Sequence, residues 1–127
     1  LQIYQTRWFV KYAKRERISD RSLIEAIDRA ERGLVDADLG GGLIKQRVAR
    51  TGEGRSGGYR MLIAYRIGHR AIFVFGFAKS TRGNVDPDQL TTARSLGAAW
   101  LAADDDRIEI GVAEGELKEI FDRDQET

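Results

Sequence analysis

Apolar residues recur along this chain with two periods, and the switches between them mark its elements. Leu23, Ala26, Ile27, Ala30 and Leu34 fall at helical spacing behind Ser19, a good N-cap, and Gly33 stands where a left-handed C-terminal residue belongs. That pattern predicts a helix from about Asp20 to Arg32. Ahead of it, Leu1 to Gln5 reads as a short strand. Trp8, Phe9, Val10, Tyr12 and Ala13, mixed with basic residues up to Arg17, continue it as a helix. Gly40-Gly41-Gly42 then breaks the chain, and the period changes to two. From Leu43 to Ala49, Ile44, Gln46 and Val48 face one way while Lys45, Arg47 and Ala49 face the other. From Gly58 to Arg66, Tyr59, Met61, Ile63 and Tyr65 oppose Arg60, Leu62, Ala64 and Arg66. Gly68-His69 marks a turn, and Ala71 to Ala78 is apolar on both faces, as a covered central strand should be. Three strands so closely spaced read as an antiparallel meander.

Helical spacing returns after Asp86. That residue can cap, Pro87 suits the first helical position, and Gln89 stands at capping-box spacing. Leu90, Ala93, Leu96 or Gly97, Trp100 and Leu101 make the stripe of a helix from Pro87 to about Ala102, which Asp104-Asp105-Asp106 ends. Beyond it, Ile108 and Val112 suit a helix whereas Ile108 and Ile110 suit a strand; Gly115 is a break, and Leu117 and Ile120 are expected to dock on the body. Trp8, Trp100 and the alternating Phe73, Phe75 and Phe77 are placed in the core.

Length and composition allow one domain: 127 residues, 42% hydrophobic, with no cysteine for disulfides and one histidine. The longest apolar run, Ala71 to Ala78, is far below the roughly 20 residues of a membrane span. With no basic-then-apolar leader in view, a soluble cytoplasmic protein is expected. The net charge of +1 conceals a polarity along the chain. Residues 45–82 carry nine Lys and Arg against Glu53 alone, while residues 83–127 carry twelve acidic against four basic side chains. A basic block in a near-neutral chain points to an anionic partner; a solvated sheet rim paired with the acidic segment is the plainer alternative.

The segment GEGRSGG, Gly52 to Gly58, fits the dinucleotide fingerprint G-x-G-x-x-G. That fingerprint needs a helix to start inside it and an acidic residue about 20 positions on. Here the alternating segment Tyr59 to Arg66 follows, and no Asp or Glu lies between Gly54 and Asp86. A hairpin connection is the better reading, and no cofactor is expected. Lys45 and Arg47 share a face, Arg60 lies on the neighbouring strand and Lys79 follows the third. Paired in order, these cations could line one surface suited to phosphate. His69 reads as an exposed turn residue. Asp36, Asp38 and Asp104 to Asp106 lack ligand-like spacing and suit loop and cap roles, so no metal site is expected.

The run GGLIKQRVARTGEGRSGGYRMLIAYR, followed by FVFGFAKSTRGNV, resembles the RelE/HigB-like toxins of bacterial type II toxin–antitoxin systems, over most of residues 4–103. The shared pieces are a Gly-Gly-Leu-x-Lys-x-Arg strand, a Gly-rich basic loop, a Gly-Gly-x-Arg strand and a Phe-x-Lys-x-x-Arg-x-Asn segment, in that order. The resemblance implies one α+β domain over residues 1–127, with 104–127 as a C-terminal extension. Its sheet would be small and antiparallel, of three to five strands, with N-terminal helices on one face and a C-terminal helix. It further implies a ribosome-dependent mRNA endoribonuclease that uses neither metal nor cofactor. In such an enzyme the 2′-hydroxyl attacks the adjacent phosphate, leaving a 2′,3′-cyclic phosphate and a 5′-hydroxyl. The implied partners are the ribosome, mRNA and a cognate antitoxin with a helix-turn-helix domain, and no membrane.

Carried over by position, the family's basic strand pair falls on Lys45 and Arg47, its next-strand Arg on Arg60, and its late basic segment on Ala78-Lys79-Ser80. Lys45, Arg47, Arg60 and Lys79 are thus the implied catalytic residues, and Arg50, Arg55, Arg66 and Arg82 the implied RNA contacts. Three features depart from the pattern: the tyrosine that stacks on the base in some relatives has no clear match after Arg82, and two of the basic positions differ. Arg47 stands where some relatives have Lys, and an Arg stays protonated, which leaves Lys45 as the base candidate. Ser80 stands where some relatives have an Arg acting as acid, so Lys79 or Arg82 would have to substitute. Two alternatives share the fold: a ParE-like toxin acting on DNA gyrase without nuclease activity, and an RNA-binding module that has lost catalysis.

Overall fold

The computed structural model describes residues 1–50 and 57–121, and it is α+β. In chain order the elements are β1 (Gln2–Thr6), α1 (Arg7–Glu16), α2 (Asp20–Glu31), β2 (Ala37–Gly40), β3 (Leu43–Val48), β4 (Tyr59–Arg66), β5 (Arg70–Ala78), α3 (Pro87–Ala102), α4 (Asp105–Ala113) and β6 (Leu117–Ile120). The strands form one sheet in the order β2-β3-β4-β5-β1-β6. The expected three-stranded meander is β3-β4-β5, and β2, which was not expected, extends it antiparallel. The sheet is larger than expected and mixed, because β1 runs parallel to β5, with Gln5 opposite Phe73, and β6 pairs antiparallel with β1. A parallel neighbour needs a long crossover, and here some sixty residues separate the partners. Hydrophobic period reads faces, not such distant pairings.

α1 and α2 cover one face, packing Phe9, Leu23, Ala26 and Ile27 against Ile44, Met61, Ile63 and Phe73. α3 and α4 cover the other, where Ala93, Trp100, Leu101 and Ile108 meet Leu43, Leu62, Ala64 and Ile72. β5 is buried on both sides, as its double apolar pattern predicts. The helix starts follow from their caps: Ser19 Oγ accepts from Ser22 N at 3.2 Å and Asp86 Oδ1 from Asp88 N at 2.8 Å. The capping box does not form, because Gln89 Oε1 accepts instead from Arg82 Nη1. Leu34 is 56% exposed, because Gly33 (φ 83°) turns the chain away once the helix has ended. The ambiguous segment resolves into both readings in turn, helix α4 then strand β6, and buries Ile108, Leu117 and Ile120.

Of the alternatives on the α3 stripe, Gly97 is buried and Leu96 is 40% exposed. A Cβ on Gly97 would lie 2.8 Å from the Ala64 Cβ on β4. The missing side chain lets the helix rest directly on the strand. Gly97→Ala is therefore expected to destabilise the fold by about 1–3 kcal/mol from overpacking, against the ~1 kcal/mol that Ala gains in a free helix. Urea denaturation measures this, and adding Ala64→Gly should restore most of the loss.

A candidate nucleic-acid interface

α3 crosses its face of the sheet over Leu43, Ala64 and Ile72. The same face continues past that footprint, toward the end of β3, the start of β4 and the end of β5. Two cross-strand rows lie there. Lys45, Leu62 and Phe75 make one, and Arg47, Arg60 and Phe77 the other. Lys45 is half-buried, Arg47 exposed and Arg60 6% exposed. The alternation read from the sequence thus places three cations side by side.

Arg47 and Arg60 meet in the closer kind of antiparallel pair. The Arg47 N–H donates to Asp36 Oδ2 at 2.7 Å, and the Arg47 carbonyl accepts from Arg29 Nη2. Both backbone groups therefore point away from β4, which makes Arg47 and Arg60 a non-hydrogen-bonded pair with Cα atoms about 4.5 Å apart. Like charges directly opposite one another destabilise a ladder. Burial lowers the Arg60 guanidinium from its ordinary pKa, the Arg47 charge lowers it further, and Asp36 partly opposes both. An unfavourable juxtaposition on a rigid sheet is where a functional requirement shows against local stability.

What braces this pair escaped the sequence reading. β2 begins at Ala37, opposite Lys45, so no strand is left to pair with the outer edge of Arg47. Side chains take over. Arg29, 4% exposed on α2, donates from Nε to Glu25 Oε1 at 2.9 Å and from Nη1 to Asp36 Oδ2 at 3.2 Å. The fully buried Gln46 accepts from the Asp36 N–H at 2.7 Å. It donates from Nε2 to the Ala26 carbonyl at 2.9 Å and to the Leu34 carbonyl at 3.2 Å. The visible signal was Gln46 itself, a polar residue on the core-facing side of an alternating strand. Asp36→Ala removes an acceptor shared by Arg29 and the Arg47 backbone. It is expected to cost about 1–3 kcal/mol in urea unfolding and to weaken phosphate binding by loosening Arg47.

Other expected residues are scattered. Lys79 is exposed just past β5, its N–H held by the Gly58 carbonyl at 2.9 Å, so it stays beside the start of β4. The Arg82 guanidinium lies 5.6 Å from the Phe77 ring centre and 6.0 Å from that of Phe75, at the edge of the same rows. Arg50 sits 5.9 Å from the ring of Tyr59, which belongs to the α1–α2 face. Arg66 shares the parity of Arg60 but ends β4 six residues on, about 20 Å away, with Leu62, Ala64 and the α3 footprint between them. Arg50 and Arg66 are thus not brought to the cluster. Arg55 and most of the GEGRSGG segment lie outside the described residues. Its last glycine does not: a Cβ on Gly58 would sit 2.3 Å from the Val48 carbonyl oxygen, so close chain approach requires that glycine. β4 then follows, as the strand reading expected.

His69 is exposed in the β4–β5 turn, at the far end of the sheet from the cations. Asp38 and Asp104 serve as turn and cap residues, accepting from Gly40 N and Arg107 N. Among the described residues no cluster of His, Cys, Asp and Glu could hold a metal ion, and no helix is long and apolar enough to cross a membrane. Trp8 corrects its core assignment. It is 44% exposed, its ring stacked on Phe75 at 4.7 Å and on Tyr12 at 5.1 Å. Burial pushes the Tyr12 phenol up to about 12, with the charge of Glu16 adding to it, so that phenol is no base at neutral pH.

Fold and site together define a small α+β protein whose mixed sheet presents braced cations beyond the cover of a helix, an arrangement suited to phosphate. The family comparison is specific: the model of the RelE toxin of the RelE/RelB toxin–antitoxin system matches residues 1–120. The chain belongs to the RelE toxin family; it is the toxin of a toxin–antitoxin pair, with an antitoxin as its partner. A search of curated proteins finds no match.

Proposed function

We propose that this toxin cleaves mRNA on the ribosome, by attack of a 2′-hydroxyl on the neighbouring phosphate. The observation that carries the reading is the Arg47–Arg60 pair in closest cross-strand register, with Lys45 one row away on the same face. The reaction needs a proton acceptor at the 2′-oxygen, cations for the charge that gathers on the phosphate oxygens, and a proton for the departing 5′-oxygen. Lys45 brings an amine, which can exchange a proton, whereas Arg47 and Arg60 remain charged. Lys45 is assigned to the 2′-hydroxyl and the two guanidiniums to the pentacoordinate phosphate. Lys79, anchored beside Gly58, or Arg82, at the row's edge, is assigned to the leaving oxygen. The 2′-oxygen bonds to phosphorus as the 5′-oxygen departs with a proton, leaving a 2′,3′-cyclic phosphate and a 5′-hydroxyl.

The test uses purified toxin and ribosomes programmed with a defined mRNA. Cleavage in the codon awaiting decoding is expected, and one 2′-deoxy nucleotide at the cut position should abolish it. Cleavage that persists at the deoxy position would contradict the 2′-hydroxyl mechanism.

A further inference from the structure

β6 is one edge of the sheet and pairs only with β1. The Arg7 N–H donates to the Glu116 carbonyl at 3.0 Å, one step ahead of the Thr6–Leu117 register. Bonded and non-bonded pairs alternate along an antiparallel ladder. Lys118 and Ile120 therefore bond to β1, and Leu117 and Glu119 turn their N–H and C=O groups outward. Among the described residues no strand takes these groups up. The opposite edge is protected: β2 carries a bulge between Asp38 and Gly40, and the Gly40 N–H is held by Asp38 Oδ1 at 2.9 Å. β6 runs in unbroken register and has no such device.

A cleft of about 560 Å³ lies along this open edge and reaches both faces of the sheet. On the α4 side it is apolar, with Val112 (40% exposed), Leu117 and, at the strand's end, Phe121 (63% exposed). On the α1 side it holds Val10 with the exposed Lys11 and Lys118. Arg7 lines it as well and fixes the turn before β6, donating to the carbonyls of Gly115 at 3.1 Å and Glu114 at 3.2 Å. The carboxylate in the lining is Glu119, on the Leu117 side of the strand. A strand laid on β6 would send alternate side chains to these two sides, apolar ones toward Val112 and acidic ones toward Lys11 and Lys118. A second copy of the chain fits poorly. With a two-fold axis at either middle residue of β6, Lys118 would face Lys118 or Glu119 would face Glu119, and like charges directly opposite destabilise a ladder. We propose that the β6 edge takes up an extended segment of the antitoxin, alternately apolar and acidic, as a seventh strand. The inference rests on membership of the toxin family and not on the nuclease reading. In the sheet order β6 lies three strand spacings from β4, about 14 Å, so this anchor holds the antitoxin without touching Arg60.

The test uses the full chain with its cognate antitoxin, and inorganic polyphosphate as the probe of the cation rows. Amide hydrogen exchange, read residue by residue by NMR, should slow at Leu117 and Glu119 when the antitoxin binds. Glu119→Pro removes an outward N–H and no bond to β1; it should weaken antitoxin binding about tenfold. Lys118→Glu should weaken it by at least about tenfold, since it sets a carboxylate against the acidic segment. Both variants should bind polyphosphate as the wild-type chain does. If Glu119→Pro does not fold, Lys118→Glu and the wild-type exchange decide the matter. Undiminished antitoxin affinity in Lys118→Glu, with Leu117 and Glu119 exchanging as fast in the complex as in the free toxin, overturns the proposal. So does protection of these two amides in the toxin alone that grows with its concentration, which would make the edge a contact between copies.

Discussion

Replacing Arg70 with Met is expected to cost about 3 kcal/mol of folding stability, read as a lower urea midpoint. Arg70 is 2% exposed at the start of β5. Its Nη1 donates to the carbonyls of Trp100 at 2.9 Å and Ala103 at 2.7 Å. These are orphan acceptors at the negative end of α3. That helix has no basic residue in its last turn, and it ends at Ala103 in an extended conformation rather than at a left-handed glycine. The cap therefore comes from the sheet. Met would keep much of the apolar volume and leave the buried carbonyls without their donor. The ion pair to Asp105, at 3.7 Å with the Asp side chain 99% exposed, adds little. The one inefficiency is Arg70 Nε, which is buried without a partner. Arg70→Lys should recover part of the loss, since an ammonium donates without the planar fork. A loss below about 1 kcal/mol for Arg70→Met would show that α3 is held by its apolar stripe alone.

Arg60→Met should produce the opposite profile. Removing one donor to developing charge lowers rates by about 10² to 10³, so cleavage should fall by that order. Stability should change little, because relief of the charge facing Arg47 and of the buried guanidinium offsets the lost donation from Arg60 Nη1 to the Tyr59 carbonyl at 3.2 Å. The salt dependence of RNA binding should also become shallower, by roughly 0.7 in slope for one lost contact to a single strand. Arg60→Lys should restore binding more fully than cleavage, since a point charge attracts phosphate but does not reproduce the planar fork. Loss of activity together with loss of folding would make Arg60 a structural residue.

The parts of the fold legible in the sequence are those set by local chemistry. Ser19 fixed the start of α2, and Asp86 with Pro87 fixed that of α3, because a cap acts within one turn. The period of two gave the faces of β3 and β4, and hence the company of Lys45, Arg47 and Arg60. It could not show how far a helix extends over a face. Arg66 has the parity of Arg60 and lies beyond α3, and only the packing of Gly97 on Ala64 reveals that footprint. The pairing of β1 with β5 was hidden by its separation in sequence, and β6 by its four-residue length. Trp8 was misplaced because helical spacing tells which residues neighbour one another on a helix, not where the neighbouring strand stops. The described members of the basic block between residues 45 and 82 divide three ways. Arg70 is an interior cap, Arg50 and Arg66 lie apart, and Lys45, Arg47, Arg60, Lys79 and Arg82 gather at one end of the sheet.

Charge is divided across the sheet in the same way as along the chain. The cations stand on β3 and β4, while Asp104, Asp105, Asp106, Glu109, Glu114, Glu116 and Glu119 lie on or beside α4 and β6, at the opposite edge. Among the described residues the acidic segment does not cover the cation rows. A ligand approaching the β3–β4 end meets positive potential unscreened by α4.

These cation rows are proposed to make the toxin an mRNA nuclease. Mapping mRNA 5′ ends in translating cells that express the chain under tight control tests it most directly. New 5′-hydroxyl ends within codons are expected, present with the wild-type chain and absent with Arg60→Met at equal expression. Translation arrest without new ends, or gyrase-dependent DNA breaks in their place, would contradict it.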